Sequence, residues 1–418
     1  MLNMVAGSRA KMSDEEAARN THRVELAGSK PIRVLKSAVL FGANASGKSN
    51  VISAFKRMRD LVVDSATRIE PNEKLPIVPF LLDSETPHTP SEFEVQVVID
   101  GVRYQYGFMA DRDAILAEWL YAWPKGSRQL WFERFVNSVD PDEWKYGALV
   151  PDSSSLKEIS KKTRENVLFL AAAAQWNHEH LGRVWSWFDQ SLPLKALNSG
   201  PGLDQQIALR LVDDIEFRNF VIGCLQKADC GILEIMAEKL PVDEARFQFP
   251  PDMPTELKRK FLQSLTDQGL VDVQIRHTAA NEQGYADLDF GQESDGTKKL
   301  LILLGTWYDV VLCGRVMLVD ELSASMHPLL TRMLISMFHG ELSTQSGSQI
   351  ILTTHDTTLL DQELFGRDQI WFTEKDSSGA TSLVSLYDYR PRKNEALQRG
   401  YLSGRYGGIP ILEGFDPA

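Results

Sequence analysis

The stretch VLFGANASGKSN, residues 39–50, decides the fold, because it joins an apolar run to a glycine loop and then to a helical pattern. Residues 42–49 match G-x-x-x-x-G-K-[ST] at every fixed position. RVLKSAVLF (33–41) is typical of a β-strand, and residues 49–65 place apolar side chains at helical spacing. A strand, a glycine loop and a helix in this order direct backbone N–H groups at phosphate oxygens. The stretch therefore predicts a phosphate-binding loop (P-loop).

The P-loop predicts which residues hold a nucleotide. Gly42 and Gly47 let the backbone curl where a Cβ would obstruct it. We expect Lys48 to reach the β- and γ-phosphates and the hydroxyl of Ser49 to bind Mg²⁺. The predicted ATP-binding residues are Gly42, Ala43, Asn44, Ala45, Ser46, Gly47, Lys48, Ser49 and Asn50.

Residues 315–328, RVMLVDELSASMHP, indicate the second half of a hydrolysis site. The apolar run 316–319 is typical of a strand buried in a mostly parallel sheet. Asp320 and Glu321 follow it, at the edge where open α/β sheets bind ligands. We expect Asp320 to hold Mg²⁺ together with Ser49, and Glu321 to orient or deprotonate the attacking water. The alternative is that the two carboxylates cap the next helix.

SQIILTTHD, residues 348–356, predicts another buried strand that ends in polar residues. A histidine at the end of a core strand can sense a γ-phosphate by hydrogen bonding, and we assign this catalytic role to His355. Taken alone, His355 would be read as a core or capping histidine.

Residues 290–312, FGQESDGTKKLLILLGTWYDVVL, predict a strongly apolar helix with Ser294 as its N-cap. The N–H groups at its start have no partner within the helix and face outward. Ser294, Asp295, Gly296 and Thr297 are therefore candidate phosphate contacts, with simple capping as the alternative.

The composition is that of an ordinary globular protein, with 43% hydrophobic and 24% charged residues. A net charge of -12 argues against a protein that coats nucleic acid through bulk charge. Three cysteines make no disulfide framework, and residues 1–20 lack the apolar core of a signal peptide. No apolar run approaches the roughly 18 residues of a membrane helix. We therefore expect a cytoplasmic protein with no membrane contact.

The order P-loop, Ser-x-Gly helix, Asp-Glu strand and Thr-His strand resembles the head of an ABC-type ATPase. The chain is most similar to the RecF/SMC-like group and, within it, to AAA15/AAA21 ATPases of bacterial abortive-infection and anti-phage systems. The stretches that carry the resemblance are LFGANASGKSNVISAF, ESDGTKKLL, LVDELSASMHP and LTTHD. The tail LQRGYLSGRYGGIP (397–410) resembles ATPases paired with an RloB/AbiL-type partner. Residues 91–111 and 166–188 also look like family segments, so the resemblance covers most of the chain.

The resemblance implies an α/β fold: a P-loop NTPase head of ABC type, with a mixed central sheet, flanking helices and an antiparallel β lobe. It implies an ATP hydrolase that uses ATP and Mg²⁺, with Lys48, Glu321 and His355 as catalytic residues. Two copies would pack head to tail as a homodimer, so that Ser294–Thr297 of one copy closes on the ATP of the other. A separate effector protein, encoded nearby, would be the partner that the dimer regulates.

Three features depart from the family pattern. The family usually starts with a strand of the type F-x-x-x-N-F-x-S-F, whereas this chain begins with MLNMVAGSRAKMSD. Ser323 stands where the family often has another acidic residue. The glutamine of the Q-loop is either Gln96 or Gln105, and a strand-surface position is the simpler reading of each.

The pattern divides the chain into four parts. Residues 1–125 form a first ATPase lobe with the P-loop and an antiparallel sheet, and 126–285 form a compact, mainly helical insertion, with 201–240 helical. Residues 286–390 form a second ATPase lobe, and 391–418 a basic, aromatic tail. The insertion has no heptads sustained enough for a coiled-coil arm. The tail is a candidate contact for nucleic acid or an acidic partner, with a packed tail as the alternative.

Three function classes fit a complete nucleotide site. The first is a regulatory ATPase that controls a partner effector in anti-phage defence. The second is a RecF-like DNA-repair ATPase that binds DNA directly, which the acidic charge and the missing arms disfavour. The third is a subunit that energises a membrane transporter. A metal site at His178 and His180 is disfavoured, because their i, i+2 spacing puts them on different faces of a helix.

Overall fold

The structure, a computed structural model, describes residues 1–7, 13–136, 143–192, 205–228, 231–241, 249–250, 253–279, 284–322, 326–392 and 395–410. Ser323 lies outside these residues. The chain divides into two compact units. The first unit comprises Met1–Leu194 and Cys313–Ala418, and the second comprises Lys195–Leu312. Among the described residues, no helix combines the length and the apolar character needed to cross a membrane.

The strands and helices are numbered in chain order. The strands are β1 (Thr21–Leu26), β2 (Ser29–Leu35), β3 (Ser37–Gly42), β4 (Ser91–Ile99), β5 (Val102–Ala110), β6 (Ile115–Trp123), β7 (Gln129–Phe135), β8 (Glu143–Tyr146), β9 (Ile232–Leu240), β10 (Leu270–Thr278), β11 (Tyr285–Asp289), β12 (Val316–Val319), β13 (Gln349–Thr353), β14 (Ile370–Lys375) and β15 (Thr381–Ser385). The helices are α1 (Asp14–Asn20), α2 (Lys48–Asp64), α3 (Ser153–Ser160), α4 (Phe169–Gln175), α5 (Glu179–Ser186), α6 (Gln205–Asp213), α7 (Ile215–Lys227), α8 (Thr255–Gln268), α9 (Asp295–Leu312), α10 (Pro328–His339), α11 (Glu341–Ser346), α12 (Leu386–Tyr389) and α13 (Leu397–Leu402).

The nucleotide sheet of the first unit has the strand order β12-β13-β3-β14-β15. Its first four strands are parallel, and β15 pairs antiparallel with β14. Every residue of β3 is buried, which explains why the strand is an uninterrupted apolar run. Parallel strands end at the same edge of a sheet, so the segments that follow β3, β12 and β13 meet there. This edge carries the candidate site.

A second sheet of the first unit is antiparallel, in the order β4-β5-β6-β7-β8. The hairpin of β4 and β5 turns at Gly101, which has a φ of +76°, in the region that favours glycine. The sheet packs its aromatic face against α4 and α5; Phe132 and Phe169, for example, meet edge to face at 4.8 Å. An antiparallel sheet was predicted within residues 1–125, and the structure has one of five strands that continues to Tyr146.

The second unit pairs a three-stranded antiparallel sheet, β11-β10-β9, with helices α6, α7 and α9. The rings of Phe217 in α7 and Tyr308 in α9 lie 5.2 Å apart. Arg210 of α6 forms ion pairs with Asp214 and Asp309, which ties the three helices together. The unit is therefore a small α/β body with its own core.

Two expectations about organisation differ from the structure. Residues 201–240 were expected to be helical, but 232–240 form β9. Gly231, with a φ of +66°, breaks the helical pattern, and pairing with the distant β10 outweighs the local helix preference of ILEIMAEKL. The insertion was expected at 126–285, whereas the separate unit is Lys195–Leu312. The reason is that β7 and β8 complete the antiparallel sheet, while α9 packs on α7.

Candidate functional site

The P-loop runs from the end of β3 to the start of α2 and requires its two glycines. A Cβ on Gly42 would lie 2.1 Å from Oγ1 of Thr373, and one on Gly47 would lie 2.0 Å from Oγ1 of Thr381. Gly47 also has a φ of +99°, and Ala45 has a φ of +61°. The loop is therefore curled as a phosphate cradle requires, and no larger residue fits at either glycine.

Two threonines of the neighbouring hairpin support the loop from behind. The hydroxyls of Ser46 and Thr373 are 2.5 Å apart, and the hydroxyl of Thr373 also donates to the carbonyl of Phe41 at 3.2 Å. Thr381 donates to the carbonyl of Ser46 at 3.0 Å. Sequence reasoning missed Thr373 and Thr381, because they lie more than 300 residues from the loop and no local pattern marks them.

Lys48 is buried although it carries an ammonium group. Its Nζ donates to the carbonyls of Gly42 and Ala43, both at 2.9 Å. Burial lowers the pKa of Lys48, and the carboxylates of Glu321 and Asp320 act in the opposite direction. The ammonium group is thus held at the mouth of the loop, next to the position where β- and γ-phosphates would bind.

The predicted metal ligands lie together. The hydroxyl of Ser49 donates to Oδ1 of Asp320 at 3.1 Å, and both residues are exposed. The hydroxyl of Thr353, at the end of β13, donates to the same oxygen at 2.6 Å. Hydroxyl and carboxylate oxygens are the hard donors that Mg²⁺ prefers, and it commonly takes one or two protein ligands plus phosphates. The residues present therefore fit a magnesium ion bound with ATP.

Glu321 has an unusual backbone, with a φ of +52°. Its N–H donates to Oγ1 of Thr353 at 2.9 Å, which holds this backbone in place. Non-glycine residues in this conformation are costly and cluster at functional sites. Thr353 thereby links both carboxylates to the adjacent strand. The position of Thr353 in LTTHD, at the end of a predicted strand, could have indicated this supporting role, but the role was not predicted from the sequence.

His355 follows β13 and faces Glu321, with Nε2 lying 3.7 Å from Oε1 of that carboxylate. Burial and the nearby Lys48 lower the pKa of His355, while the charges of Glu321 and Asp320 act against them. The imidazole is therefore mostly neutral at pH 7 and can donate one hydrogen bond. The structure thus brings Lys48, Glu321 and His355 together with both predicted metal ligands.

The Ser294–Thr297 segment lies in the second unit, at the start of α9. The hydroxyl of Ser294 accepts from the N–H of Thr297 at 3.1 Å, so it caps the helix as expected. Ser294, Asp295 and Gly296 are exposed. The hydroxyls of Ser294 and Thr297 also lie 2.8 Å apart, so the described contacts of this segment are those of a capped helix start.

The other sequence candidates have local roles. Gln96 and Gln105 are paired across β4 and β5, and Gln105 donates to Glu94 at 2.8 Å. His178 caps α5, because its Nδ1 accepts from the N–H of Leu181 at 3.3 Å. In the described part of the chain, no group of three or more His, Cys, Asp or Glu side chains is arranged to hold a metal.

Comparisons with known proteins agree with the P-loop geometry. The model of the AAA_21 family (AAA domain, putative AbiEii toxin, Type IV TA system) matches residues 37–361, more than three quarters of the chain. No curated protein matches the chain.

Several solved structures of SMC heads are similar at a low level. They include a head bound to the C-terminal winged-helix domain of ScpA (11% identity, 88% of this chain and 95% of that chain covered, TM-score 0.35). The head domain from Thermotoga maritima has 14% identity, coverage of 88% and 97%, and a TM-score of 0.35. A head with an extended coiled coil, bound to the C-terminal domain of ScpA derived from Pyrococcus furiosus, has 13% identity, coverage of 88% and 96%, and a TM-score of 0.35. These TM-scores add nothing to what the family model establishes.

The family match confirms the predicted AAA21-type resemblance, whereas pairing with an RloB/AbiL-type partner stays a prediction. The structure has a P-loop between β3 and α2 and a carboxylate pair after β12, the arrangement with which P-loop ATPases hold ATP and its metal ion. The chain belongs to the AAA_21 family and is a P-loop ATPase.

Proposed function

We propose that this chain is an ATP-driven switch: two copies close around Mg–ATP and thereby regulate a separate effector protein in bacterial anti-phage defence. The observation that carries the proposal is the cluster of Lys48, Ser49, Asp320, Glu321 and His355 at one edge of the nucleotide sheet. Such a cluster supports a nucleotide whose hydrolysis sets how long the closed state lasts.

Each residue of the cluster has a role that its surroundings support. Lys48 exchanges the loop carbonyls for phosphate oxygens, whose charge offsets the desolvation of the ammonium group. Ser49 and Asp320 hold Mg²⁺, which neutralises charge on the phosphates. Glu321 accepts a hydrogen bond from the attacking water and orients it. His355, neutral near pH 7, donates a hydrogen bond on the γ-phosphate side of the site.

The exposed start of α9 supports a shared site. Its backbone N–H groups and the hydroxyl of Ser294 present donors at the end of an 18-residue helix, where the helix dipole favours an anion. In the proposed dimer, Ser294 and Gly296 of one copy complete the γ-phosphate site of the other. ATP then favours the closed dimer because it binds that state more tightly.

Mixing two inactive variants tests the shared site. Lys48→Ala removes the phosphate ligand, and Ser294→Arg obstructs the donor face, so each variant alone should lack ATPase activity. A mixed dimer keeps one site with an intact P-loop and an intact partner helix. Each mixed dimer has one complete site in place of two, so mixing should restore activity, up to about half of the wild-type value per mixed dimer. A mixture that stays inactive, or a Ser294→Arg variant with wild-type activity, would contradict the shared site.

The defence role rests on the family, whose description names a putative AbiEii toxin and a Type IV TA system. The test is to express the tagged chain with the product of the adjacent gene and to measure co-purification and protection against phage. We expect a stable complex, and loss of protection with Lys48→Ala. A chain that purifies alone and binds duplex DNA more tightly with ATP and less tightly with salt would favour the RecF-like alternative.

A further inference from the structure

The C-terminal segment Leu397–Pro410 folds back onto the strand beside the P-loop. Tyr401 and Tyr406 are buried, and both rings stack on Phe372 of β14, at 5.4 and 5.7 Å. Tyr401 also packs against Phe41, which pairs with Phe372 in the sheet and precedes the first glycine of the loop. The aromatic part of the tail is therefore committed to the core beneath the nucleotide site.

The end of this segment reaches the P-loop itself. The N–H of Gly408 donates to Oε1 of Glu374 at 2.8 Å, and its carbonyl accepts from the hydroxyl of Tyr401 at 2.9 Å. A Cβ on Gly408 would lie 3.4 Å from both the Cα of Gly42 and the carbonyl oxygen of Thr373. Gly408 thus lies beside the glycine where the cradle begins and the strand residue that supports the loop, with room for no more than a Cβ between them.

A second set of bonds anchors the segment away from the loop. The hydroxyl of Tyr406 donates to Oε1 of Glu395 at 2.5 Å, and Arg405 forms an ion pair with the same carboxylate. Burial and the neighbouring Glu395 raise the pKa of Tyr406 to about 12, so this hydroxyl keeps its proton. The anchor and the loop contact are therefore separate and can be changed one at a time.

We propose that the segment Leu397–Pro410 is a brace for the P-loop and that Gly408 is a positioning residue for nucleotide binding. The cradle binds phosphate through backbone N–H groups whose directions depend on the path of the chain at Gly42. A segment that lies beside Gly42 and is held by Glu374 and Tyr401 limits how far that path can move. The segment lies beyond residues 37–361, which the family model covers, and the inference goes beyond the proposed switch.

A pair of glycine variants distinguishes a specific effect on nucleotide binding from a general loss of stability. Gly408 and Gly404 have φ values of +65° and +79°, so valine strains the backbone at both. At Gly404 the added Cβ meets the end of the flexible Ile409 side chain, whereas at Gly408 it points at the P-loop. We expect Gly408→Val to raise the Kd for a fluorescent ATP analogue at least about tenfold and to raise KM. Gly404→Val should keep both within about twofold of wild type.

A milder pair keeps the test valid if a valine variant does not fold. Tyr401→Phe removes the bond to Gly408, and Tyr406→Phe removes the bond to Glu395, while both rings stay on Phe372. Thermal unfolding without nucleotide should shift similarly in the two variants, and only Tyr401→Phe should raise Kd, by a few-fold. Equal Kd values within each pair would overturn the brace. Because the measurement is nucleotide binding, its result does not depend on dimerisation or on an effector.

Discussion

Thr353, at the end of β13, holds the two carboxylate residues that follow β12. Its hydroxyl donates to Asp320 and accepts from the N–H of Glu321, so a single oxygen sets the position of both residues. A carboxylate with a fixed orientation binds a metal more tightly than one that must be ordered on binding. Thr353 is thus a candidate positioning residue for Asp320, the proposed metal ligand, and for Glu321, the residue proposed to orient water.

We predict that Thr353→Val lowers kcat by about 10–100-fold and raises the Mg²⁺ concentration needed for half-maximal activity. Valine has the shape of threonine but offers neither hydrogen bond, so Asp320 and Glu321 lose their common support. A matched control is Thr331→Val in α10, since the buried hydroxyl of Thr331 has no hydrogen-bond partner. Titration of ATPase activity with Mg²⁺ measures the effect. Equal magnesium dependence in the two variants would contradict this role.

His339 makes the free energy of unfolding depend on pH. Its Nε2 lies 2.9 Å from the hydroxyl of Ser37, and burial, together with nearby Lys36, Arg19 and His22, lowers its pKa from 6.5 to about 3. The unfolded chain takes up this proton near pH 6.5, whereas the folded chain does not until about pH 3. Stability should therefore be lost as the pH falls between these values, by up to about 1.4 kcal/mol per pH unit.

The prediction is that His339→Gln flattens this dependence. Glutamine cannot take up a proton, so the variant should lose less unfolding free energy than the wild type between pH 7 and pH 5. Urea unfolding at the two pH values measures the difference. Equal losses in the two proteins would show that another group sets the acid sensitivity.

At the scale of the elements, a carboxylate of the antiparallel sheet caps the start of helix α4. Glu118 of β6 accepts from the N–H groups of Phe169 and Leu170 at 2.6 and 3.0 Å, and from the hydroxyl of Tyr106 at 3.0 Å. These N–H groups start the helix and have no partner within it. Burial raises the pKa of Glu118, and the two backbone bonds oppose this effect. The antiparallel sheet and α4 are thus joined by one fully buried side chain.

We predict that Glu118→Gln destabilises the protein by about 2 kcal/mol, because the amide N–H₂ of glutamine meets backbone donors that need an acceptor. The matched control is Glu133→Gln in β7, where Glu133 accepts from the side chain of Tyr121 at a partly exposed site. Its cost should be below about 1 kcal/mol. Denaturant unfolding measures both variants. A smaller effect at Glu118 than at Glu133 would exclude the capping role.

On the scale of the whole molecule, the proposed switch requires that closure and hydrolysis be separable. Glu321→Gln keeps the shape of the side chain but removes the carboxylate that is proposed to orient water. We expect this variant to bind ATP, to turn it over orders of magnitude more slowly, and to accumulate dimers in ATP. Light scattering after size exclusion measures the dimers, and Lys48→Ala should show none. Normal hydrolysis by Glu321→Gln would mean that another residue handles the water.

Dilution tests whether each site is built from two copies of the chain. If each site needs donors from two copies, the activity per copy should fall as the protein concentration drops below the dissociation constant of the dimer. A constant activity per copy down to nanomolar concentration would place the complete site within one chain and would refute the shared site.

Short-range patterns were sufficient for the core of the site. The P-loop, the carboxylates after β12 and the histidine after β13 were all located from residues adjacent in sequence, and the structure has strands and a helix at those positions. The resemblance to AAA21 ATPases, carried by the same residues, is confirmed by the family model. The catalytic roles of Lys48, Glu321 and His355 stay predictions.

Long-range pairing decided the rest. The sequence by itself determined that this chain has a P-loop, because a glycine loop that follows a buried strand can be recognised from spacing and hydrophobicity alone. Only the tertiary structure decided that Thr373 and Thr381 support the loop, that 232–240 is a strand, and that the tail packs on Phe372. Each of these contacts joins residues far apart in sequence, and side-chain packing and hydrogen bonding across such separations leave no periodic signal in the local sequence.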